Sequence, residues 1–235
     1  MPLSRRDACR GLTGLAGLAA VARAAHAQPR TVLVELFTSQ SCSSCPPADV
    51  LLGELARRPD VVALGFHVDY WDRLGWKDPF SLPEATRRQR DYGRQFNLRA
   101  IYTPQLVVDG VAEMVGSDRA AVTRALAAAR PGDGVAVALA RDGVSVLVRV
   151  AEGAVAAPAR VQLVGYTPGA TTRVLGGENS GRTLADTNAV RRLETLGSWT
   201  GPAAAWRAPA EPGTGYAAIV QGMDGRVLGV AALPA

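Results

Sequence analysis

Apolar and polar positions along the chain change their period about halfway, and that change is the first guide to its organisation. From Thr31 the run Thr-Val-Leu-Val-Glu-Leu-Phe is almost continuously apolar, the mark of a strand buried on both faces. Thr38-Ser39-Gln40-Ser41 reads as a polar turn. Pro46 and Pro47 then suit the first turn of a helix whose apolar face is Val50, Leu51 and Leu55, and Arg57-Arg58-Pro59 stops it. Val61 to Val68 is a second buried strand, so a strand, helix, strand order predicts parallel pairing through a right-handed crossover. Asp69 to Pro83 is aromatic and broken by Gly75 and Pro79, which reads as a structured loop of the length that often carries function. Pro83 to Asn97 is arginine-rich and predicts a surface helix. Gln105–Val108 and Val111–Val115 flank Asp109-Gly110, a two-residue hairpin signal. Ser117 is expected to cap a last helix running to Arg130.

Pro131-Gly132-Asp133-Gly134 marks a boundary, and beyond it the apolar positions alternate. Val135–Arg141 and Val144–Val150 flank Asp142-Gly143, Arg160–Tyr166 and Arg191–Trp199 follow, and Tyr216–Gln221 and Val227–Ala232 flank Asp224-Gly225. Several short strands with turn signals between them predict an antiparallel sandwich or barrel of about 100 residues. The expected division is a leader over 1–27, an α/β domain over 28–131 and an antiparallel β domain over 132–235.

Charge does not point to a nucleic acid. The formal net charge of the 235 residues is +5, but residues 1–27 carry Arg5, Arg6, Arg10 and Arg23 against Asp7, a net of +3, which leaves +2 for the rest. That first segment has a basic start, an apolar run from Gly11 to Ala22, and Ala25-His26-Ala27 suited to a signal peptidase, so export to the periplasm or beyond is the expectation. Ser4-Arg5-Arg6-Asp7 partly matches a twin-arginine signal, although Ala8 and Cys9 stand where such signals carry apolar residues. The run is shorter than the roughly 20 residues that cross a bilayer, and no stable membrane insertion is expected after cleavage.

Loss of the leader removes Cys9 and leaves Cys42 and Cys45, spaced Cys-Ser-Ser-Cys. A bridge this short closes too little chain entropy to serve as a staple, so the pair is there for chemistry or for metal. Its place after a buried strand and at a helix start suits thiolate chemistry, since unpaired amides and the helix dipole favour the anion. Cys42, the outer member, is the expected attacking thiol and Cys45 the resolving one, with no bound cofactor and with client or electron-donor protein thiols as partners. The alternative is a carrier of copper(I) or zinc held by Cys42, Cys45 and His67, the one histidine beyond the leader. A histidine bonded to Asp69 or Asp72 is the plainer reading of His67.

Residues 31–130 resemble the thioredoxin fold in element order, in the placement of Cys42-Ser43-Ser44-Cys45, and in Thr103-Pro104 directly before the third strand. The fold class implied is α/β, a thioredoxin-like N-terminal domain followed by an all-β sandwich-like C-terminal domain. The resemblance implies a cis Pro104 opposite the dithiol, with Thr103 and Pro104 meeting an incoming peptide. It also implies that Glu35, interrupting the first strand, relays the proton of the inner thiol, while the residues alone equally allow a Glu at a solvated edge or paired with an arginine.

More closely, Val34 to Asp49, Phe66 to Asp72, Gly75 to Phe80, Tyr102 to Gln105 and Gly177 to Arg182 resemble a bacterial family of secreted thioredoxin-like proteins catalogued only as a domain of unknown function. That likeness brings no established reaction. Trp76 and Lys77, the only lysine of the chain, are further substrate-side candidates. Glu178, Asn179, Arg182 and Arg191 form a polar cluster between glycines that either faces the dithiol, with an arginine–carboxylate pair, or holds a loop together.

Overall fold

The β-branched run that opens the described chain forms β1, Val32–Thr38, every residue of it buried. The computed structural model describes residues 31–129 and 134–235. The leader and Pro131-Gly132-Asp133 therefore lie outside the described residues. Helix α1, Pro46–Leu55, follows with two prolines in its first turn, and β2, Val61–His67, returns parallel to β1 with Val34 opposite Ala63. A 3₁₀ helix, Asp69–Leu74, occupies the aromatic loop and ends at Gly75, whose φ of 83° is open to glycine. Helix α2, Pro83–Gln95, is followed by the hairpin of β3, Gln105–Val108, and β4, Ala112–Val115. Asp109 and Gly110 between them have φ values of 49° and 66°, the pair of left-handed residues that a tight hairpin turn requires. Helix α3, Arg119–Ala128, starts one residue later than expected, because the side chain of Asp118 rather than Ser117 accepts the free amide of Ala121.

The second half contributes β5, Val137–Asp142; β6, Ser145–Val150; β7, Ala159–Arg173; β8, Thr183–Trp199; β9, Ala204–Pro209; β10, Gly215–Gln221; and β11, Val227–Leu233. The molecule is a mixed α/β structure in which strand outweighs helix. Its pairing differs from a separate antiparallel domain. Strands β11, β10, β7 and β8 continue the sheet of the first half in the order β11-β10-β7-β8-β2-β1-β3-β4, with β8 joining β2 in parallel at Gly65 and Ala189. Two local features allow the junction. Gly65 has no side chain to meet the carbonyl of Thr187, and Asn188, at φ 46°, donates its amide to the carbonyl of Ala63 at 2.8 Å. The remaining strands form a second, three-stranded sheet in the order β5-β6-β9.

Alternation along the strands sorts the core. Val32, Val34 and Leu36 of β1 face α1 and α3, packing on Leu51, Leu52, Leu55 and Val122. Leu33 and Phe37 face the other way, onto Ala85 and Tyr92 of α2 and onto β7, β8, β10 and β11. The three-stranded sheet packs Val146, Val148 and Val150 against Val161, Leu163, Ala218 and Trp199. The β3–β4 turn meets the start of β11, where Val227 donates to the carbonyl of Asp109 at 2.9 Å.

A candidate dithiol site

Strand β1 delivers the chain to a polar turn at the edge of the sheet, and the turn tightens on itself before α1 begins. The amide of Cys42 donates to the carbonyl of Ser39 at 3.1 Å, and that of Cys45 to the carbonyl of Cys42 at 3.2 Å. This brings the sulfurs together, and Cys42 and Cys45 are joined as a disulfide. Cys45 is the N-cap of α1, so the pair lies at the helix start as expected.

Two properties of that start differ from the sequence expectation. Cys42, the outer member and expected attacking thiol, is 0% exposed, as is Cys45, although Ser43 and Ser44 between them are exposed. The helix also offers few free amides. Pro46 and Pro47 have none to give, the amides of Ala48 and Asp49 both bond the carbonyl of Cys45, and the amide of Ser43 is taken by Glu178. Hydroxyls supply the polar contacts of the outer sulfur. Thr103 Oγ1 lies 3.3 Å from Cys42 Sγ, as does Ser44 Oγ, and since a disulfide sulfur has no hydrogen both hydroxyls donate. Thr103 is held by Trp71, whose indole N–H donates to its hydroxyl at 2.9 Å. The Thr103-Pro104 bond is cis.

The loop between β7 and β8 clamps this motif. Buried Asn179 donates to the carbonyls of Gln40 and Cys42 at 3.0 and 2.8 Å, and the amide of Glu178 donates to the carbonyl of Ser41 at 3.3 Å. Glu178 Oε2 accepts from the amide and the hydroxyl of Ser43 at 2.9 and 2.7 Å, and those two bonds hold its carboxyl below the usual range. Gly177, at φ 69°, fits against Ser41, where a Cβ would lie 2.9 Å from the serine hydroxyl. Glu178 and Asn179 thus contact the turn that carries the cysteines, and neither arginine of the cluster pairs with the carboxylate. Arg182 donates to Asn179 Oδ1 at 2.8 Å, while Arg191 donates to the carbonyl of Pro79 at 2.5 Å and lies over the ring of Phe80.

Other expected residues are more distant in role. Trp76 donates to the side chain of Gln40 at 3.1 Å, and Lys77 is exposed on the same loop. Asp69 accepts from Thr86 at 2.5 Å and so ties the 3₁₀ helix to α2. Glu35 lies on the face of the sheet opposite α1, where Arg88 bonds both its oxygens at 2.5 and 3.0 Å and Tyr92 donates at 2.5 Å. Of the readings open to Glu35, the arginine pair is the one present. The proton-relay role would need a carboxylate on the α1 side.

His67 was expected to face Asp69 or Asp72, or else the cysteines; its partners are Asp78, at 2.8 Å from Nδ1, and Asp186, at 3.7 Å from Nε2. Burial pushes its pKa down, but Asp78, Asp186 and Asp49 outweigh burial and hold it above the usual value. Among the described residues no cluster of three or more His, Cys, Asp or Glu side chains is arranged to hold a metal ion. Asp49, absent from the sequence expectations, turns its carboxyl inward to accept from Thr38 at 2.8 Å, and burial drives its pKa up to about 7 against the opposing pull of His67 and Thr38. Its signal was present: four residues after Cys45, it shares that cysteine's side of α1.

The family described as Protein of unknown function (DUF1223) matches residues 33–221. Among solved structures, a structural-genomics protein of Agrobacterium tumefaciens is 31% identical, with 88% of this chain and 96% of that one covered and a TM-score of 0.76. HBP35 of Porphyromonas gingivalis is similar in fold alone, at 12% identity and a TM-score of 0.60 over 88% of this chain and 75% of that one. No curated protein matches. On the span of its match, and on its likeness to the Agrobacterium protein, the chain belongs to the DUF1223 family.

Proposed function

We propose that the chain is an exported thiol-disulfide oxidoreductase with a thioredoxin-like arrangement around Cys42 and Cys45. The observation that carries the reading is the disulfide at the N-terminus of α1 with the Thr103 hydroxyl 3.3 Å from Cys42 Sγ. A parallel β1–α1–β2 unit, followed by α2, an antiparallel β3–β4 hairpin and α3, supports the thioredoxin-like reading. Among the described residues no helix is long and apolar enough to cross a membrane, and the leader over 1–27 supports export.

In the reduced protein, the thiolate of Cys42 attacks one sulfur of a client disulfide, forms a mixed disulfide and releases the other client sulfur as a thiolate, which takes up a proton. Cys45 then loses its proton and attacks Cys42 Sγ. The second client thiol leaves, and the Cys42–Cys45 disulfide forms. The reverse sequence oxidises a client dithiol. Because both sulfurs are buried in the disulfide state, attack on them begins with a local displacement of Ser44 and Thr103.

The test is equilibration of the folded protein in glutathione buffers of graded ratio, followed by alkylation and mass measurement, with Cys45→Ser used to trap mixed disulfides in an export-competent host. Reversible two-electron titration and client adducts through Cys42 are expected. A disulfide that resists every buffer until the protein unfolds, together with no adducts, overturns the proposal.

A further inference from the structure

We propose that Glu178 is a positioning residue that sets the direction of exchange, making the Cys42–Cys45 pair an electron donor to client disulfides. This rests on the dithiol reading above and assigns the partner as an oxidised thiol, a disulfide. The donors that would stabilise a Cys42 thiolate at a helix start are mostly spent here: two are missing at Pro46 and Pro47, and the Ser43 amide and hydroxyl are bound by Glu178 Oε2 at 2.9 and 2.7 Å. In their place the loop brings a carboxylate onto the residue next to Cys42. Its bonds to Ser43 hold Glu178 ionised, so it opposes a second negative charge on the neighbouring sulfur.

Of the other ionisable groups near the turn, Arg182 spends its guanidinium on Asn179 Oδ1 at 2.8 Å. Asp49, His67, Asp78 and Asp186 are engaged with one another and with Thr38 and Gln40. The side-chain donors at Cys42 Sγ are the neutral hydroxyls of Thr103 and Ser44. A pair whose reduced form is strongly stabilised is an oxidant. Withholding that stabilisation favours the disulfide and makes the dithiol a reductant. Two electrons and two protons pass from the dithiol to the client, and a protein dithiol of lower potential restores the reduced pair.

The experiment compares wild type, Glu178→Gln and Glu178→Ala by two readouts: the equilibrium with glutathione, and the pH dependence of Cys42 alkylation by iodoacetamide in the reduced protein. Glu178→Ala is expected to shift the equilibrium toward the dithiol about tenfold, which for a two-electron couple is about 30 mV, and to move the alkylation midpoint down by about one pH unit. Glu178→Gln keeps an oxygen for Ser43 but loses the charge, and is expected to fall between the other two. Variants that coincide with wild type in both readouts, while wild type exchanges reversibly, overturn this inference and leave the dithiol reading standing. A wild-type disulfide that does not exchange removes both.

Discussion

Gly65 of β2 pairs with Ala189 of β8, and through that register the sheet of the first half passes into the strands of the second. A Cβ at Gly65 would lie 3.1 Å from the carbonyl of Thr187 and 3.4 Å from Leu52. Gly65→Val is therefore expected to cost about 3 kcal/mol, at the upper end of typical overpacking, read as a lower denaturant midpoint. A variant as stable as wild type would mean that the two halves are not held by this contact.

Glu35 and Arg88 form a buried ion pair, with Tyr92 completing the carboxylate's bonds. Arg88→Met leaves a buried carboxylate without its cation and is expected to destabilise by about 3–5 kcal/mol. Glu35→Gln, by contrast, is expected to leave the rate of disulfide exchange within about twofold, because the pair is on the far face of the sheet from α1. A tenfold loss of rate with the fold intact would return Glu35 to the proton-relay role.

Asn179 donates to both the Gln40 and the Cys42 carbonyls. Asn179→Ala leaves two acceptors without their partner and is expected to cost about 2 kcal/mol. Hydrogen exchange should report it locally, as faster exchange at Cys42 and Cys45 than at the β1 amides. Uniform protection across the turn would show that the clamp does not order the motif.

Stability should fall as pH rises from about 4 to about 7. Folding raises the pKa of Asp49 from 3.8 to about 7, so the folded state keeps a proton that the unfolded chain gives up, and stability declines across that interval. His67 acts in the same direction: its contribution is complete below 6.5, its unfolded value, and is lost as pH passes its raised folded one. Asp78, held low by His67 once burial is overcome, has the opposite slope but only in acid. Asp49→Asn should flatten the melting temperature between pH 5 and 7, and a profile as steep as wild type would rule out Asp49 as its source.

The local elements were legible where short-range chemistry decides them. The apolar run of β1, the prolines of α1 and the Asp109-Gly110 turn each carry their own signal, and the disulfide follows from Cys-x-x-Cys spacing at a helix start. What stayed hidden depends on partners far along the chain. Arg88 reads as one more surface arginine until Glu35, 53 residues away, is placed beneath it. His67 has two aspartates closer in sequence than Asp78, but those are used to fasten the 3₁₀ helix. Strand β9, Ala-Ala-Trp-Arg-Ala-Pro, is too rich in alanine to show alternation. The route of the sheet was equally hidden, since nothing in β2 or β8 alone announces that they are neighbours.

The long shared sheet also limits how this chain can be divided. A fragment ending near residue 129 would retain both cysteines but would lack β8, and so would leave β2 as an edge strand. Such a fragment is a template for adding strands from other molecules, and it would self-associate before its redox behaviour could be read. Only the intact chain gives the disulfide its native surroundings.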